Sequence, residues 1–232
     1  MEYLKRFWPL YLITAGIFVC IALGADRAVT TIAEHTPVHR NHIIVIDAGH
    51  GGEDGGANAC NGKSESEINL RIALKLEDLC HLLGYKTVMI RRTDISVYTE
   101  GKTIAAKKAS DLRERTRIVN DTENAILISI HQNTYSDSIY RGAQVFYAAS
   151  MGSKELATKI QSVICDSVNK GSNRKVKPAE HVYLMRNIQK TGVLVECGFI
   201  SNPQEAELLC SEGYQKKLCC VLICALSQYI NA

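Results

Sequence analysis

A strong excess of charge of either sign is missing from this chain. Its 232 residues carry a formal net charge of only +3, which gives no support to a nucleic-acid footprint, because such proteins concentrate Lys and Arg in a dense basic stripe. Internal repeats and low-complexity tracts are absent as well, so neither a repeat array nor a biased tail accounts for the length. The nine cysteines include no Cys-x-x-Cys pair, which leaves a structural zinc knuckle without its ligands. Nine is an odd number, and disulfides are the first expectation for an exported chain. The spacing argues otherwise. Cys219, Cys220 and Cys224 fall on one amphipathic helical pattern, and Cys80, Cys165, Cys197 and Cys210 stand among apolar neighbours. Free cysteine behaves as a small buried hydrophobe, so structural, mostly reduced thiols are expected.

What is present begins with Lys5 and Arg6 ahead of an apolar stretch over residues 7–24. Residues 1–25 therefore read as a signal peptide or a membrane anchor. The stretch is at the short limit for a spanning helix. Trp8 takes the interfacial position that aromatics favour. The small-residue exit Ala22-Leu23-Gly24-Ala25 is a weak cleavage site, so a retained anchor is the expectation, with the remainder exported to the extracytoplasmic side. Residues 26–41 read as a linker. His35 and His39 are spaced as a helical metal pair would be, but Pro37 between them breaks that helix, and they read as solvated. Residues 42–232, about 190 in all, are enough for one substantial core.

Strands are expected at residues 43–47, 86–91, 125–130, 143–147, 182–185 and 193–196, where near-continuous apolar runs suit strands covered on both faces. The first helix begins at Ser64, with Glu67 three residues on as a capping box. Ile68, Ile72, Leu76, Leu79 and Leu83 give it an apolar stripe, and Gly84 is its natural C-cap. Further helices are expected at 111–120, 154–168, 203–209 and 214–229. The alternation implies an α/β fold: a single domain with a twisted, mainly parallel or mixed sheet of about six strands flanked by helices. The polar stretch from Thr93 to Ser110 is longer than an ordinary connection, and reads either as a functional loop or as a tolerated insertion. Basic residues gather at Lys102, Lys107, Lys108, Arg113, Arg115 and Arg117, and again at Lys170, Arg174, Lys175 and Lys177. They read as solvated surface or as attraction to an anionic polymer.

Three apolar runs end in ionisable residues. Ile43-Ile44-Val45-Ile46-Asp47-Ala48-Gly49-His50-Gly51-Gly52 carries His50, Ala125-Ile126-Leu127-Ile128-Ser129-Ile130-His131-Gln132-Asn133 carries His131, and Val193-Leu194-Val195-Glu196-Cys197-Gly198 carries Glu196. Ligands bind at strand C-termini in open α/β sheets. A charge there is costly unless paired, and a divalent metal is a simple shared partner for imidazoles and carboxylates. A competing signal is Ala57-Asn58-Ala59-Cys60-Asn61-Gly62-Lys63-Ser64, a relaxed phosphate-loop pattern. A true phosphate loop joins strand directly to helix, and here the strand ends ten residues too early, so nucleotide binding is set aside.

These strings, with Lys63-Ser64-Glu65-Ser66-Glu67-Ile68-Asn69 between the first two, resemble the zinc-dependent N-acetylmuramoyl-L-alanine amidases of the bacterial cell wall. The resemblance runs from about Ile43 to the C-terminus and rests on Asp-x-Gly-His-Gly-Gly, the helix-start Glu, Ser-Ile-His-x-Asn and Val-Glu-x-Gly-Phe-Ile-Ser-Asn in family order. Ala48 departs from the Pro that many members carry. The resemblance implies one zinc ion per chain held by His50, Glu65 and His131. Position agrees for Glu65, since Ser64 caps the helix while Glu67 is taken by the capping box. It also implies Glu196 as the catalytic base, whose apolar surround should raise its pKa. Asp47 either orients His50 or serves as a structural cap. Asn133 and Arg141 flank the site in sequence without a fixed role.

The implied substrate is peptidoglycan, cut between the lactyl group of N-acetylmuramic acid and the L-alanine of the stem peptide. One catalytic domain behind a hydrophobic segment, without wall-binding repeats, looks like the spore-cortex, germination-related subgroup, whose product leads to muramic-δ-lactam. The long basic loop before Asp111-Leu112-Arg113-Glu114-Arg115 is similar to that subgroup too. The alternatives are a vegetative cell-wall amidase, a zinc peptidase on a related sheet, and a silent wall-binding regulator. Membrane contact through the N-terminal segment is expected, nucleic acid is not, and an accessory activator protein remains open.

Overall fold

The computed structural model describes residues 41–232. The hydrophobic segment, the linker and its two histidines lie outside the described residues. No helix among the described residues is long and apolar enough to cross a membrane.

Six strands form one mixed sheet in the order β2-β1-β3-β6-β4-β5, where β1 is Ile43–Ala48, β2 Lys86–Met89, β3 Ala125–Asn133, β4 Gln144–Tyr147, β5 Lys177–Pro178 and β6 Thr191–Phe199. β4 runs antiparallel to β6, and every other neighbouring pair is parallel. The helices are α1 (Glu65–Leu82), α2 (Ile104–Asp121), α3 (Ser153–Ser167), α4 (Tyr183–Asn187), α5 (Pro203–Cys210) and α6 (Glu212–Ile230). The sheet separates two apolar layers. On one face Ile44, Ile46, Ile126, Ile128, Val193 and Val195 pack against Ile68, Ile72 and Leu76 of α1, Ile160 of α3 and Leu222 of α6. On the other, Val45, Leu127 and Leu194 pack with Val119 of α2 and Leu184 and Met185 of α4. Each fully buried side chain of this size contributes roughly 1.5–3 kcal/mol, and coverage on both faces explains why β1 and β3 read as unbroken apolar runs.

Several sequence expectations need correction. Residues 182–185, expected as a strand, start the short helix α4, with Val182 as its N-cap; a four-residue apolar run does not distinguish the two periods. β3 and β6 continue to Asn133 and Phe199, so His131 and Glu196 lie inside long strands and not at their ends. The α1 stripe closes on Cys80, while Leu83 is 53% exposed at the C-cap. Ser64 Oγ accepts from Glu67 N at 3.3 Å, but the Glu67 carboxylate reaches Lys63 Nζ at 3.0 Å, so only half of the expected box forms. The Thr93–Ser110 stretch is not all loop: α2 starts at Ile104, with Thr103 Oγ1 accepting from Ala106 N at 3.2 Å. All eight cysteines among the described residues are unpaired.

Arg115 does not belong with the surface cations, since it is 2% exposed. It forms an ion pair with the equally buried Asp47 and donates to Ala48 O at 3.0 Å and His50 O at 2.8 Å. Burial pushes the Asp47 carboxyl up, but Arg115, His131 and the Ser129 hydroxyl together outweigh it and the pKa lies below the ordinary value. Arg115→Met is expected to destabilise the protein by about 3–5 kcal/mol, because it strands a buried carboxylate, and Asp47→Asn in the same chain should recover part of that loss. Urea unfolding measures both; a single-variant loss below about 1 kcal/mol would show that Asp47 finds another partner.

Candidate active site

His50 follows β1 in a tight loop. Its backbone is left-handed, φ +62°, an unfavourable state for a non-glycine residue that persists only when its surroundings impose it. Gly51 N donates to Asp54 O at 2.7 Å, and Arg115 holds the His50 carbonyl. A second buried guanidinium, Arg91, donates to Ala48 O at 2.8 Å, Gly49 O at 3.0 Å and Ser66 O at 2.9 Å. It thereby ties β1, the His50 loop and the first turn of α1 to one point.

Glu65 lies in that first turn. Its Oε1 is 3.0 Å from His131 Nδ1 and 3.3 Å from His50 Nε2. The two imidazole rings stand edge to face with centroids 5.0 Å apart. One ligand atom from each of His50, Glu65 and His131 lies within 4.8 Å of the others, so the three residues could hold a metal ion. The carboxylate is also fixed by Ala57 N at 3.0 Å on Oε2 and by Gln132 N at 3.1 Å on Oε1. Burial would raise its pKa, but the two imidazoles hold it well below the usual carboxylate range.

Two glycines make this convergence possible. A Cβ on Gly49 would sit 2.2 Å from His131 Nε2, and one on Gly56 would sit 2.6 Å from Glu65 Oε2. Gly56 also has φ +66°, a conformation that glycine adopts without steric cost.

Asp54, and not Asp47, orients His50: its Oδ2 is 3.1 Å from His50 Nδ1. Lys108 Nζ binds the same oxygen at 3.0 Å. Burial opposes the shift, yet His50 and Lys108 lower the Asp54 pKa to about 2. The sequence singled out Asp47 because it precedes the loop; the side chain points into the sheet layer, toward Arg115 and Ser129. The segment before α2 straps the loop down, with Ser96 Oγ donating to Gly51 O at 2.6 Å and Asp94 accepting from Gly52 N at 3.0 Å. No periodicity in the sequence signals Asp54, Arg91 or Gln132.

Glu196 lies directly opposite His131 in the β3–β6 register, so both side chains emerge on the same face. Its Oε2 is buried without a hydrogen-bond partner. Burial raises its pKa to about 7, with Glu65 adding to the rise and the two histidines opposing it. Of the flanking residues, Asn133 lies two positions beyond His131 on β3. Arg141 instead lines a separate groove with Gly142, Asn169 and Glu205.

The sequence matches the family described as N-acetylmuramoyl-L-alanine amidase over residues 44–227. A germination-specific N-acetylmuramoyl-L-alanine amidase of Bacillus subtilis is 36% identical over 194 residues, covering 82% of this chain and 80% of that protein. The CwlD amidase of Clostridioides difficile, solved in complex with the GerS lipoprotein, is 38% identical with a TM-score of 0.78, over 82% of this chain and 98% of that one. An N-acetylmuramoyl-L-alanine amidase structure from Clostridium difficile 630 is 27% identical with a TM-score of 0.72, over 83% and 98% of the two chains.

The electrostatics of Glu196 generate a stability prediction for the metal-free protein. Its folded pKa of about 7 exceeds that of an unfolded glutamate, so the folded state holds the extra proton between the two values. Stability is then greatest below the unfolded pKa and is lost as pH rises through about 7. Glu196→Gln should therefore stabilise the metal-free protein at pH 8 by at most about 3 kcal/mol, with no gain near pH 4. Denaturant titrations at both pH values check it; an equal effect at both would mean that the gain is not due to ionisation.

Proposed function

The chain belongs to the N-acetylmuramoyl-L-alanine amidase family, and we propose that its His50, Glu65 and His131 hold one zinc ion beside Glu196 to hydrolyse the muramoyl–L-alanine amide of peptidoglycan. The observation that carries the zinc assignment is the convergence of two imidazole nitrogens and one carboxylate oxygen within 4.8 Å. Two His and one carboxylate form a known donor set of catalytic zinc, which keeps a further position open. The unpartnered Glu196 oxygen beside this cluster fits the same reading.

When bound, zinc would acidify a water toward a pKa of about 7 and polarise the scissile carbonyl. The protein's own groups do the rest. Glu196, with a pKa near the working pH, takes a proton from the attacking water as its oxygen bonds to the carbonyl carbon. The carbon–nitrogen bond then breaks, and Glu196 returns the proton to the departing alanine nitrogen. The products are a lactyl carboxylate and a free peptide amine. Asp54 holds the His50 ring through its remote nitrogen, a contact that fixes orientation and tautomer at metal sites. Glu65 stays ionised at every pH at which Glu196 titrates, so the two carboxylates serve different ends.

Purified protein should contain one zinc per chain and lose activity on chelation. Glu196→Gln should keep the metal while slowing hydrolysis by on the order of 10²–10⁴. Full activity after exhaustive chelation, or a Gln variant within a few-fold of wild type, would reject these roles.

The biological setting we infer is the spore cortex, supported by the 36% identity to a germination-specific amidase. The apolar stretch 7–24 would carry the domain to the outer side of its membrane. The CwlD amidase solved with a lipoprotein supports an accessory protein for this chain as well. Spores lacking the gene are expected to be devoid of muramic-δ-lactam and to germinate poorly. A muropeptide profile decides it: undiminished lactam would reject the cortex role and leave the amidase chemistry standing.

A further inference from the structure

A β-bulge beside Glu196 turns an aromatic surface toward the site. In the β3–β6 ladder His131 pairs with Glu196, and the next pair is Asn133 with Phe199. Two steps on β3 thus match three on β6. The extra residue re-aims the strand end, as bulges near active sites do, and sets Phe199 on the face that carries His131 and Glu196. The neighbouring strand continues this face, with Gln144 of β4 opposite Glu196.

A layered group is built on Phe199, which is itself only 4% exposed. The Arg174 guanidinium lies over its ring at 4.9 Å. That guanidinium is fixed by the Arg141 carbonyl at 2.9 Å and by Gln144 Oε1 at 3.0 Å. Tyr140 tilts against Phe199 with centroids 6.2 Å apart, and Tyr135 meets Tyr140 edge to face at 4.6 Å. The outer rings are open to solvent, Tyr135 at 55% and Tyr140 at 44%. Two exposed tyrosines on an ordered base form an amphipathic surface of the kind that marks a binding site.

The scissile amide of the proposed reaction joins a sugar to a peptide, so the groove must seat a pyranose on one side of Glu196. The opposite side, past His50, holds a charged cavity of about 110 Å³ lined by Ser96, Lys107 and Lys108, where the two lysines pair with Glu53 and Asp54. The Phe199 position is two strand steps, about 7 Å, beyond the His131–Glu196 pair, within reach of a sugar attached through its lactyl arm. The C–H face of a pyranose carries partial positive charge, which the negative face of an aromatic ring attracts; the hydroxyls around its edge match the tyrosine hydroxyls. We propose that Tyr135 and Tyr140, braced by Phe199 and Arg174, form the glycan-strand subsite of this enzyme, and that they set its preference for polymeric over single-sugar substrates. This rests on the amidase reading above.

The test uses the full chain and two measurements. The first is binding of a peptide-free N-acetylglucosamine–N-acetylmuramic acid tetrasaccharide, followed by calorimetry. The Tyr135→Ala/Tyr140→Ala double variant should bind it about tenfold more weakly, and Tyr135→Phe/Tyr140→Phe should restore most of the affinity. The second compares cleavage of a tetrasaccharide carrying stem peptides with that of a single muramoyl peptide. The double Ala variant should raise KM about tenfold for the former and by a clearly smaller factor for the latter, which offers one sugar alone. No glycan binding by the wild type, unchanged binding by the double variant, or equal losses on both substrates would overturn the assignment. Unchanged glycan binding is also what a protein-docking surface would give. Wild-type protein that binds glycan but cleaves neither substrate would instead count against the amidase reading alone.

Discussion

Two buried guanidinium groups hold the stretch of backbone on which the site depends. Arg91 and Arg115 between them donate to the carbonyls of Ala48, Gly49, His50 and Ser66. The carbonyls of Ala48, Gly49 and His50 lie at the end of β1 and just beyond it, and a buried carbonyl without a partner is costly. The guanidinium is suited to the task, since its five donors lie in a fixed plane and it stays charged even when buried. Asp47 balances part of that charge, with Ser129 donating to its other oxygen at 2.6 Å. The strained backbone of His50 is held by this frame, and so is the start of α1, from which Glu65 projects.

The site then places two carboxylates in opposed surroundings. Glu65 is surrounded by donors: two imidazoles, the amides of Ala57 and Gln132, and Asn69 Nδ2 at 3.4 Å. Glu196 has a buried oxygen with none. The first is therefore held ionised, whereas the second titrates near neutrality. When neighbouring acids are separated in this way, their roles separate too: one suits a permanent ligand and the other a group that takes and returns a proton. Family membership supplies the reaction class, and this asymmetry supplies the division of labour within it.

The same strand end serves a further purpose. The bulge that follows Glu196 lets β6 carry Cys197 into the core layer and Phe199 onto the site face within a few residues. The Phe199 backbone N–H donates to Glu205 Oε2 at 2.7 Å, and Gly142 N donates to Glu205 Oε1 at 2.9 Å. One half-buried side chain from α5 thus joins the end of β6 to the approach to β4. The loop before β4 is thus fastened to the sheet by polar contacts to its backbone as well as by the packing of Tyr140 on Phe199.

Much of this protein was legible in the sequence. The apolar runs gave β1, β3 and β6, the Ser64 cap and the 3.6-residue stripe gave α1, and both signals are local, which is why they survive without tertiary information. His50, His131 and Glu196 stood out because an ionisable residue closing an apolar run violates the pattern around it, and Glu65 because it follows the Ser64 cap and matches the helix-start Glu of the family. The tertiary structure decided the rest. Whether residues 182–185 were strand or helix depended on which neighbour they covered. Asp54 rather than Asp47 became the partner of His50 because alternation along β1 sends Asp47 to Arg115, 68 positions away. Arg115 looked like one more surface cation until α2 packed against the sheet. A long-range pair of this kind leaves no periodic trace in either segment, since what selects it is the low dielectric of the interior and the geometry of two elements that meet only after folding.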